Sequence, residues 1–313
     1  MKIYTFLFPL FSLLFSCSSP SGKGGDDTAT TGTITIAADE SLRPIVEAEA
    51  EVFQSIYPSA HLNIIYTGEY DAIQMVCKDS ARLAIVTRDL LPEEKKWFDK
   101  DIITPRYSPF AYDAIALIVN RGNNDTIFTS DQLGKILSGE TAHWSQLNGS
   151  DRKIKIVFDN PGSGILRQLK DSLLKEKSIS KNCFAVENNK AVIDYVAANK
   201  GALGLIGVSW ISDQDDSLMH GFTQKIRVAT MVPLNPESAE VPLMKPYQAY
   251  IALKQYPLWR KIQLVSREAR VGLGTGFASF IASDRGQRIV LKSGLVPAQA
   301  PLRLVNINSS NIQ

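Results

Sequence analysis

Short apolar runs alternate along the chain with segments whose apolar positions recur every three or four residues. The first run covers residues 34–38, and a helical pattern follows from position 42 to about 56. Further runs of this kind, each bounded by turn or helix signals, lie at 83–86, 114–119, 154–158, 203–206, 228–231 and 247–253. The alternation predicts an α/β fold in which a central sheet is flanked by helices.

Capping residues mark several of the predicted helices. Thr129 and Gln132 have the spacing of a capping box, and Gly139 stands where the helix that they open should end. Another helical pattern covers about 190–198 and is followed by Gly201, a second C-terminal stop signal. The chain around these helices is long enough for two domains.

The N-terminal segment has the features of an export signal with a lipidation site. Lys2 precedes an apolar run over residues 3–15, which is too short for a bilayer core that takes about 20 residues. The run leads into Leu14-Phe15-Ser16-Cys17, with a small residue directly before the cysteine. We expect residues 1–16 to be removed as a signal peptide, Cys17 to be lipidated as in bacterial lipoproteins, and residues 17–32 to form a flexible tether. A signal without lipidation is the alternative, but no A-x-A site precedes the cysteine.

Composition and charge exclude several classes of protein. The chain has 34 Lys and Arg against 32 Asp and Glu, a formal net charge of +2 at pH 7, and so lacks the basic excess of nucleic-acid-binding proteins. The histidines, His61, His143 and His220, are isolated and have no metal-site spacing. Cys77 and Cys183 lie far apart and are expected to be free thiols, with a disulfide as the alternative. We expect neither a metal nor a cofactor.

The loop after the predicted strand 154–158 is the most informative candidate for an anion site. Its sequence, Asp159-Asn160-Pro161-Gly162-Ser163-Gly164, leads into a helical pattern that begins with Ile165. The first turn of a helix leaves about four N–H groups unpaired and carries about half a positive charge, and the glycines allow close backbone approach. Ser163 adds a hydroxyl and Arg167 a cation. The alternative is that Ser163 only caps the helix while the glycines relieve a tight turn.

Two other strand-to-helix loops carry hydroxyl or cationic side chains. Ser41 follows the first predicted strand, and Thr87 and Arg88 follow the strand at 83–86. Arg88 can make a bidentate contact with an oxyanion, or it can form a surface ion pair with the neighbouring Asp89. Because open α/β sheets bind ligands at the carboxyl ends of their strands, we expect the three loops to converge on one crevice.

Seven segments in the same order across most of the mature chain carry a family resemblance. They are ITIAADESLRPIVEAEAEVFQSIYP, LAIVTRDL, FAYDAIALIVN, FTSDQLGKILSGETAHWSQL, IKIVFDNPGSGILRQL, GALGLIG and GFASFIASDRGQRIVLKSGLVP. On these segments the sequence resembles the periplasmic phosphate-binding proteins of ABC importers. The resemblance implies a two-lobed, type II periplasmic-binding-protein-like clam, each lobe of which is a central mixed sheet flanked by helices.

The resemblance also implies domain bounds, location and partners. A chain of this family crosses between its lobes twice, which here gives lobe 1 at residues 33–112 plus 228–313 and lobe 2 at 113–227. It implies a monomer in the periplasm, anchored to a membrane through Cys17, that delivers inorganic phosphate to the permease of an ABC importer. A nucleic-acid partner is not expected.

The family's phosphate contacts can be carried over to matching positions. Phosphate oxygens in the family accept bonds from a first-loop Ser or Thr, from a Ser or Thr beside an Arg after the third segment, and from an SGT-type loop. The matching residues are Ser41, Thr87, Arg88, Ser163 and Gly164. Asp113 matches the acidic group that accepts the proton of hydrogen phosphate and thereby discriminates against fully ionised sulfate. The alternative for Asp113 is an aspartate in the turn before a strand.

The sequence departs from the family pattern within these loops. Asp39 and Glu40 replace small hydroxyl or glycine residues, and two carboxylates near a dianion repel it unless they point away or one is protonated. Ile165 replaces a threonine and keeps only its backbone N–H as a donor. Arg167 lies one turn inside the helix, where it can reach the ligand or stay solvated.

Three other functions compete with phosphate import. Another oxyanion, such as molybdate, tungstate or sulfate, fits the same clam, and a sensory or envelope role fits a cleft whose first-loop acids have abolished binding. Asp113 is the discriminating residue, because a binder of fully ionised sulfate does not need it. An enzyme is not expected, since Ser163 lacks the glycines of a G-x-S-x-G nucleophile elbow, whose places are held by Pro161 and Ile165.

Overall fold

A computed structural model describes residues 27–213, 215–233 and 243–299. The predicted signal peptide, the lipidation at Cys17 and residues 17–26 of the tether lie outside these residues. Within the described ranges, no helix combines the length and the apolar character that crossing a membrane requires. Cys77 and Cys183 are free thiols.

Strands and helices alternate through the described residues, and the predicted α/β fold is confirmed. The strands are β1 (Gly32–Asp39), β2 (Ala60–Thr67), β3 (Leu83–Val86), β4 (Arg106–Asn120), β5 (Ile127–Phe128), β6 (Lys155–Phe158), β7 (Cys183–Ala185), β8 (Ala202–Gly207), β9 (Ile226–Val228), β10 (Thr230–Met231), β11 (Trp259–Ser266) and β12 (Val296–Pro297). The helices are α1 (Arg43–Ile56), α2 (Glu69–Cys77), α3 (Pro92–Lys100), α4 (Ser130–Ser138), α5 (Gly164–Leu169), α6 (Asn189–Ala198), α7 (Ser217–Lys225), α8 (Gln248–Ala252), α9 (Leu273–Ala282) and α10 (Asp284–Lys292).

One long strand joins two halves of the main sheet, whose strand order is β2-β1-β3-β11-β4-β8-β6-β7. In the first half-sheet, β1 runs parallel to β2 and β3, and β11 runs antiparallel between β3 and residues 106–114 of β4. In the second half-sheet, residues 115–119 of β4 run antiparallel to β8, and β6 runs parallel to β7 and β8. Asp113 therefore stands at the junction of the two half-sheets.

Strand β1 is buried on both of its faces. Ile36 lies in a core with Phe53 of α1 and Phe277 of α9, whereas Ala37 lies in a second core with Ile73 of α2. The sequence of a parallel strand that is covered by helices on both faces is a continuous apolar run, without the alternation of apolar and polar residues seen in a half-exposed strand. This packing holds the carboxyl end of β1, where the first candidate loop begins, in a defined position.

The predicted capping box of α4 is confirmed. Thr129 Oγ1 accepts a hydrogen bond from the Gln132 N–H at 3.1 Å, and Gln132 Oε1 accepts one from the Thr129 N–H at 2.9 Å. Gly139 ends the helix with φ +85°, a left-handed conformation that glycine adopts without steric cost.

The C-terminal third of the chain differs from the expectation in two respects. The predicted strand at 247–253 is wrong, because the segment forms helix α8; a short apolar run has too few turns for its periodicity to separate helix from strand. Strand β11 was not predicted, since charged residues interrupt its apolar positions. Strand β9 pairs with β4 in the second half-sheet, and β10 pairs with β5. Strand β9 ends at Val228, and β10 and β5 form a separate two-stranded sheet.

Candidate functional site

Loops that follow β1, β2, β3 and β6 meet at the junction of the two half-sheets. Gly164, the first residue of α5, donates its N–H to Asp39 Oδ2 at 3.2 Å, which links the loop after β6 to the loop after β1. Arg167 of α5 donates to Glu69, which follows β2, and to Thr87, which follows β3. Contacts between these loops therefore cross from one half-sheet to the other.

The carboxylate of Glu69 accepts hydrogen bonds from several of the predicted phosphate donors. Its Oε1 accepts from the Thr87 N–H at 2.7 Å and from the Thr87 hydroxyl at 2.5 Å, and its Oε2 accepts from Arg167 Nε at 2.5 Å. Arg88 Nε lies 3.8 Å from the same Oε2. Glu69 is only 1% exposed, so its carboxylate lies out of water, whereas the Arg167 side chain remains 30% exposed.

The carboxyl group of Asp39, like that of Glu69, accepts hydrogen bonds from predicted phosphate donors, here at the start of α5. Its Oδ1 accepts the Ser41 N–H at 2.9 Å, and its Oδ2 accepts the Gly164 N–H. A Cβ atom at Gly164 would lie 2.2 Å from Asp39 Oδ2 and 3.1 Å from the Glu69 carboxyl carbon. Glycine is therefore required here for the loops to approach so closely.

Asp113 and Arg260 form a buried ion pair at the junction of the half-sheets. They are register partners on β4 and β11, and Arg260 donates through Nε and Nη2 to Asp113 Oδ2 at 2.9 and 2.7 Å. Their side chains are 0% and 1% exposed. Among the described residues, neither Asp113 Oδ1 nor Arg260 Nη1 has a hydrogen-bond partner. The pair retains one unused acceptor and one unused donor.

Glu40 and Asp159 share a hydrogen-bond partner, Asn189, on a helix that packs on the second half-sheet. Asn189, at the start of α6, donates through its backbone N–H and its side-chain Nδ2 to Glu40 Oε2 at 3.0 and 2.5 Å. The same Nδ2 lies 3.4 Å from Asp159 Oδ2. The side chains of Glu40 and Asp159 are buried, and so is that of Asp39. The two acids of the first loop, Asp39 and Glu40, therefore point into the protein rather than away from it.

The hydroxyls of Ser41 and Ser163 have different environments. Ser41 Oγ is buried, and within the described part of the chain no hydrogen-bond partner reaches it. Ser163 Oγ caps α5 by accepting from the Leu166 N–H at 3.3 Å. The side chain of Ile165 is buried in the core.

Arg88 makes its bidentate contact with a carboxylate of the chain itself. Its Nη1 and Nη2 donate to Glu94 Oε2 and Oε1, both at 2.7 Å, and its partner is therefore not the neighbouring Asp89 carboxylate. Next to this pair, a cavity of about 410 Å³ is lined by residues of the loops and helices that follow strands of both half-sheets. Its lining includes Glu69, Arg88, Ser163, Arg167 and Lys170.

Burial shifts the pKa values of the acids in the cleft. Loss of hydration, together with the charges of Asp159 and Glu69, raises the pKa of Asp39 to about 7, and Arg260 opposes the shift. Burial also raises the pKa of Glu40 to about 7 and that of Asp159 to about 6. Near neutral pH Asp39 and Glu40 are therefore partly protonated, which lowers the negative charge at the junction.

The raised pKa of Asp39 gives an expected pH dependence of stability. The folded protein holds this proton up to about pH 7 and the unfolded chain loses it near 3.8, so the contribution is complete below about pH 4 and is lost as the pH rises through 7. We expect the free energy of unfolding of Asp39→Asn to fall less between about pH 4 and 8 than that of the wild type, in urea titrations without phosphate. The matched control is Asp284→Asn on the surface, and an identical pH profile for wild type and Asp39→Asn would contradict the assignment.

Three residues of the site were not predicted from the sequence: Glu69, Asn189 and Arg260. Glu69 had a usable signal, because Gly68-Glu69 follows the strand-like segment 60–67 and opens a helix, the arrangement that identified the other loops. Arg260 had no local signal, since it stands in a strand that charged residues interrupt. Its importance depends on Asp113, which lies 147 positions away in the chain.

Comparison with known proteins identifies similar chains over most of the length. A family model described as a PBP superfamily domain matches residues 25–285. The phosphate-binding protein PstS of Bacillus subtilis is 23% identical over 285 residues, covering 90% of this chain and 85% of the relative. PstS of Borreliella burgdorferi is 23% identical over 304 residues, covering 94% and 98%. A Clostridium perfringens structure with bound phosphate has a TM-score of 0.71 at 24% identity and covers 85% of this chain and 100% of its own. The fold is shared with that structure.

Proposed function

The chain belongs to the PBP superfamily, and from the geometry of its cleft we propose that it is a solute-binding protein that captures inorganic phosphate for ABC-type import. The family match covers most of the chain. The two relatives named above are phosphate-binding proteins, and the alignments with this chain cover 85% and 98% of their lengths. The proposal is for binding and release rather than catalysis.

The observation that carries this proposal is the convergence of oxyanion donors from both half-sheets. Backbone N–H groups of Ser41, Thr87 and Gly164 and side chains of Thr87 and Arg167 all donate to carboxylate oxygens at one junction. A carboxylate and a phosphate present the same kind of acceptor, a negatively charged oxygen. A set of donors that holds one is therefore suited to hold the other.

Asp113 is proposed to select hydrogen phosphate. Its Oδ2 is neutralised by Arg260, while Oδ1 is a buried acceptor that no described residue satisfies. Hydrogen phosphate offers a proton to such an acceptor, whereas fully ionised sulfate brings a second acceptor against it. Ser41 Oγ, also buried and unsatisfied by the described residues, is the proposed hydroxyl donor to the same ligand.

We further propose two lobes that close on the ligand, with Asp113 on the first crossing strand. Residues 33–112 form the start of lobe 1, and the pairing of β9 and β10 supports a return crossing that follows Met244 rather than Val228. Closure is favoured by the anion, because donors from both lobes reach it together.

The proposed setting is the cell envelope. The apolar N-terminal segment and its cysteine support an exported lipoprotein that is held at a membrane through Cys17. There a monomer would present its bound phosphate to the permease of an importer.

Phosphate is expected to raise the melting temperature of the mature protein. Saturation at about 1,000 times the dissociation constant adds about 4 kcal/mol to the free energy of unfolding. Thermal unfolding with phosphate, sulfate, molybdate or chloride at equal ionic strength measures the response. A shift with phosphate alone is expected; a larger shift with sulfate or molybdate would assign another oxyanion, and equal responses to all four salts would contradict anion binding.

A further inference from the structure

The donors proposed for phosphate are already engaged by carboxylates of the same chain. The inner anion site, defined as the hydrogen-bond donors of Thr87 and Arg167 together with the nearby guanidinium of Arg88, surrounds the carboxylate of Glu69. Both oxygens are used: Oε1 accepts from Thr87, and Oε2 accepts from Arg167. A tetrahedral oxyanion that used the same donors would place its oxygens where the two Glu69 oxygens now lie.

Charge makes simultaneous occupation unfavourable. The buried Glu69 carboxylate and a phosphate dianion sharing Thr87 and Arg167 would be like charges within a few ångströms, in surroundings where water screens them weakly. Each of these donors would also have to divide its hydrogen bonds between two acceptors. One anion must therefore leave for the other to bind.

We propose that Glu69 is an internal competitor for the ligand, and that an external oxyanion binds the inner anion site by displacing its carboxylate. This inference rests on the proposed phosphate-binding function and adds a residue that sets affinity. Glu69 is the first residue of α2, so its side chain can turn away without breaking an internal turn of that helix.

The neighbouring cavity provides a position from which the exchange can occur. Its lining contains three cations, Arg88, Arg167 and Lys170, and two acids, Glu69 and Asp171, of which Asp171 accepts from Arg167 Nη1 at 2.9 Å. An anion drawn to these cations would lie next to the contacts that it must take over. Arg88 stays positioned during the exchange, because Glu94 holds its two terminal nitrogens.

The orphaned hydroxyl of Ser41 is a second, independent sign of a ligand at this junction. Ser41 Oγ is fully buried and makes no hydrogen bond to any described residue, although its own N–H is held by Asp39. A buried hydroxyl without a partner is costly, and an anion at the junction would satisfy it. The Glu69 carboxylate thus occupies part of a larger site rather than completing it.

The test is the affinity of the mature protein for inorganic phosphate when Glu69 is replaced. Glu69→Gln keeps the size of the side chain and removes its charge, and Glu69→Ala frees the donors altogether. Both are expected to tighten binding by about tenfold or more in isothermal titration, because one hydrogen bond to a charged group corresponds to about a decade of affinity. Asp71→Asn is the matched control: it removes the same charge from an exposed residue in the same first turn of α2, and within the described residues Asp71 forms no hydrogen bond with Thr87 or Arg167.

The outcomes separate this inference from the proposed function. If the wild type binds phosphate and both Glu69 variants bind it with equal or lower affinity, the competitor role is overturned and phosphate binding stands. An equal gain in Asp71→Asn would also overturn it, because general charge rather than displacement would then explain the effect. Absence of phosphate binding in the wild type and in both folded variants would overturn the proposed function as well. Tighter binding in Glu69→Gln and Glu69→Ala alone is the supporting result.

Discussion

Replacing Arg260 by leucine is expected to lower the free energy of unfolding by about 3–5 kcal/mol. The substitution removes the only ion-pair partner that the described residues offer Asp113, at a position where both side chains are buried. Arg260 also opposes the charge of Asp39. A buried carboxylate without a counter-charge keeps its full cost of dehydration. Urea unfolding followed by tryptophan fluorescence measures the loss.

Two further variants make this result interpretable. Arg288→Leu removes an arginine from an exposed ion pair with Asp284, and its effect should stay within about 0.5 kcal/mol. Combining Arg260→Leu with Asp113→Asn removes the unpaired charge, so the double variant should lose less stability than Arg260→Leu alone. If Arg260→Leu lowered the free energy of unfolding no more than Arg288→Leu does, the Asp113–Arg260 ion pair would not stabilise the junction of the half-sheets.

Replacing Gly164 by alanine is expected to weaken phosphate binding by about tenfold or more while leaving the fold stable. The added methyl group would lie 2.2 Å from Asp39 Oδ2, so the loops after β1 and β6 could not approach to their present distance. A hydrogen bond to a charged acceptor is worth about 1.5–3 kcal/mol, which is about one to two decades of affinity. Alanine is itself a better helix former than glycine, so α5 should persist. Titration calorimetry with phosphate measures the loss.

The control for this substitution is Gly221→Ala on α7. A Cβ atom at Gly221 meets no atom within 4 Å, so the same chemical change is made without a clash. Its phosphate affinity should equal that of the wild type. Full affinity in Gly164→Ala would mean that the approach of Gly164 to Asp39 is not part of the ligand-binding state.

Most of the fold was predictable from local patterns. The continuous apolar run at the start of β1, the capping box at Thr129 and the stop at Gly139 each depend on neighbours within a few residues, and each agrees with the structure. Helix α8 was missed because five residues are too few to show a helical period. Strand β11 was missed because its burial comes from strands distant in sequence, which pack on both of its edges.

The candidate loops were also predictable, but the groups that accept hydrogen bonds from their donors were not. Ser41, Thr87, Arg88 and Ser163 all stand after strands, and that position follows from the sequence alone. The partner of Thr87 is Glu69, 18 positions away, and the partner of Glu69 on the other half-sheet is Arg167, 98 positions away.

The sequence by itself determined most of the elements and the loops that can hold an anion, because side-chain period and helix capping act over one or two turns. Only the tertiary structure decided that Asp39, Glu40 and Glu69 point into the junction and that Glu69 accepts the bonds offered by Thr87 and Arg167. The reason is that dehydration and ion pairing depend on which groups other segments bring within a few ångströms. Those neighbours are set by the pairing of strands, which no local pattern encodes.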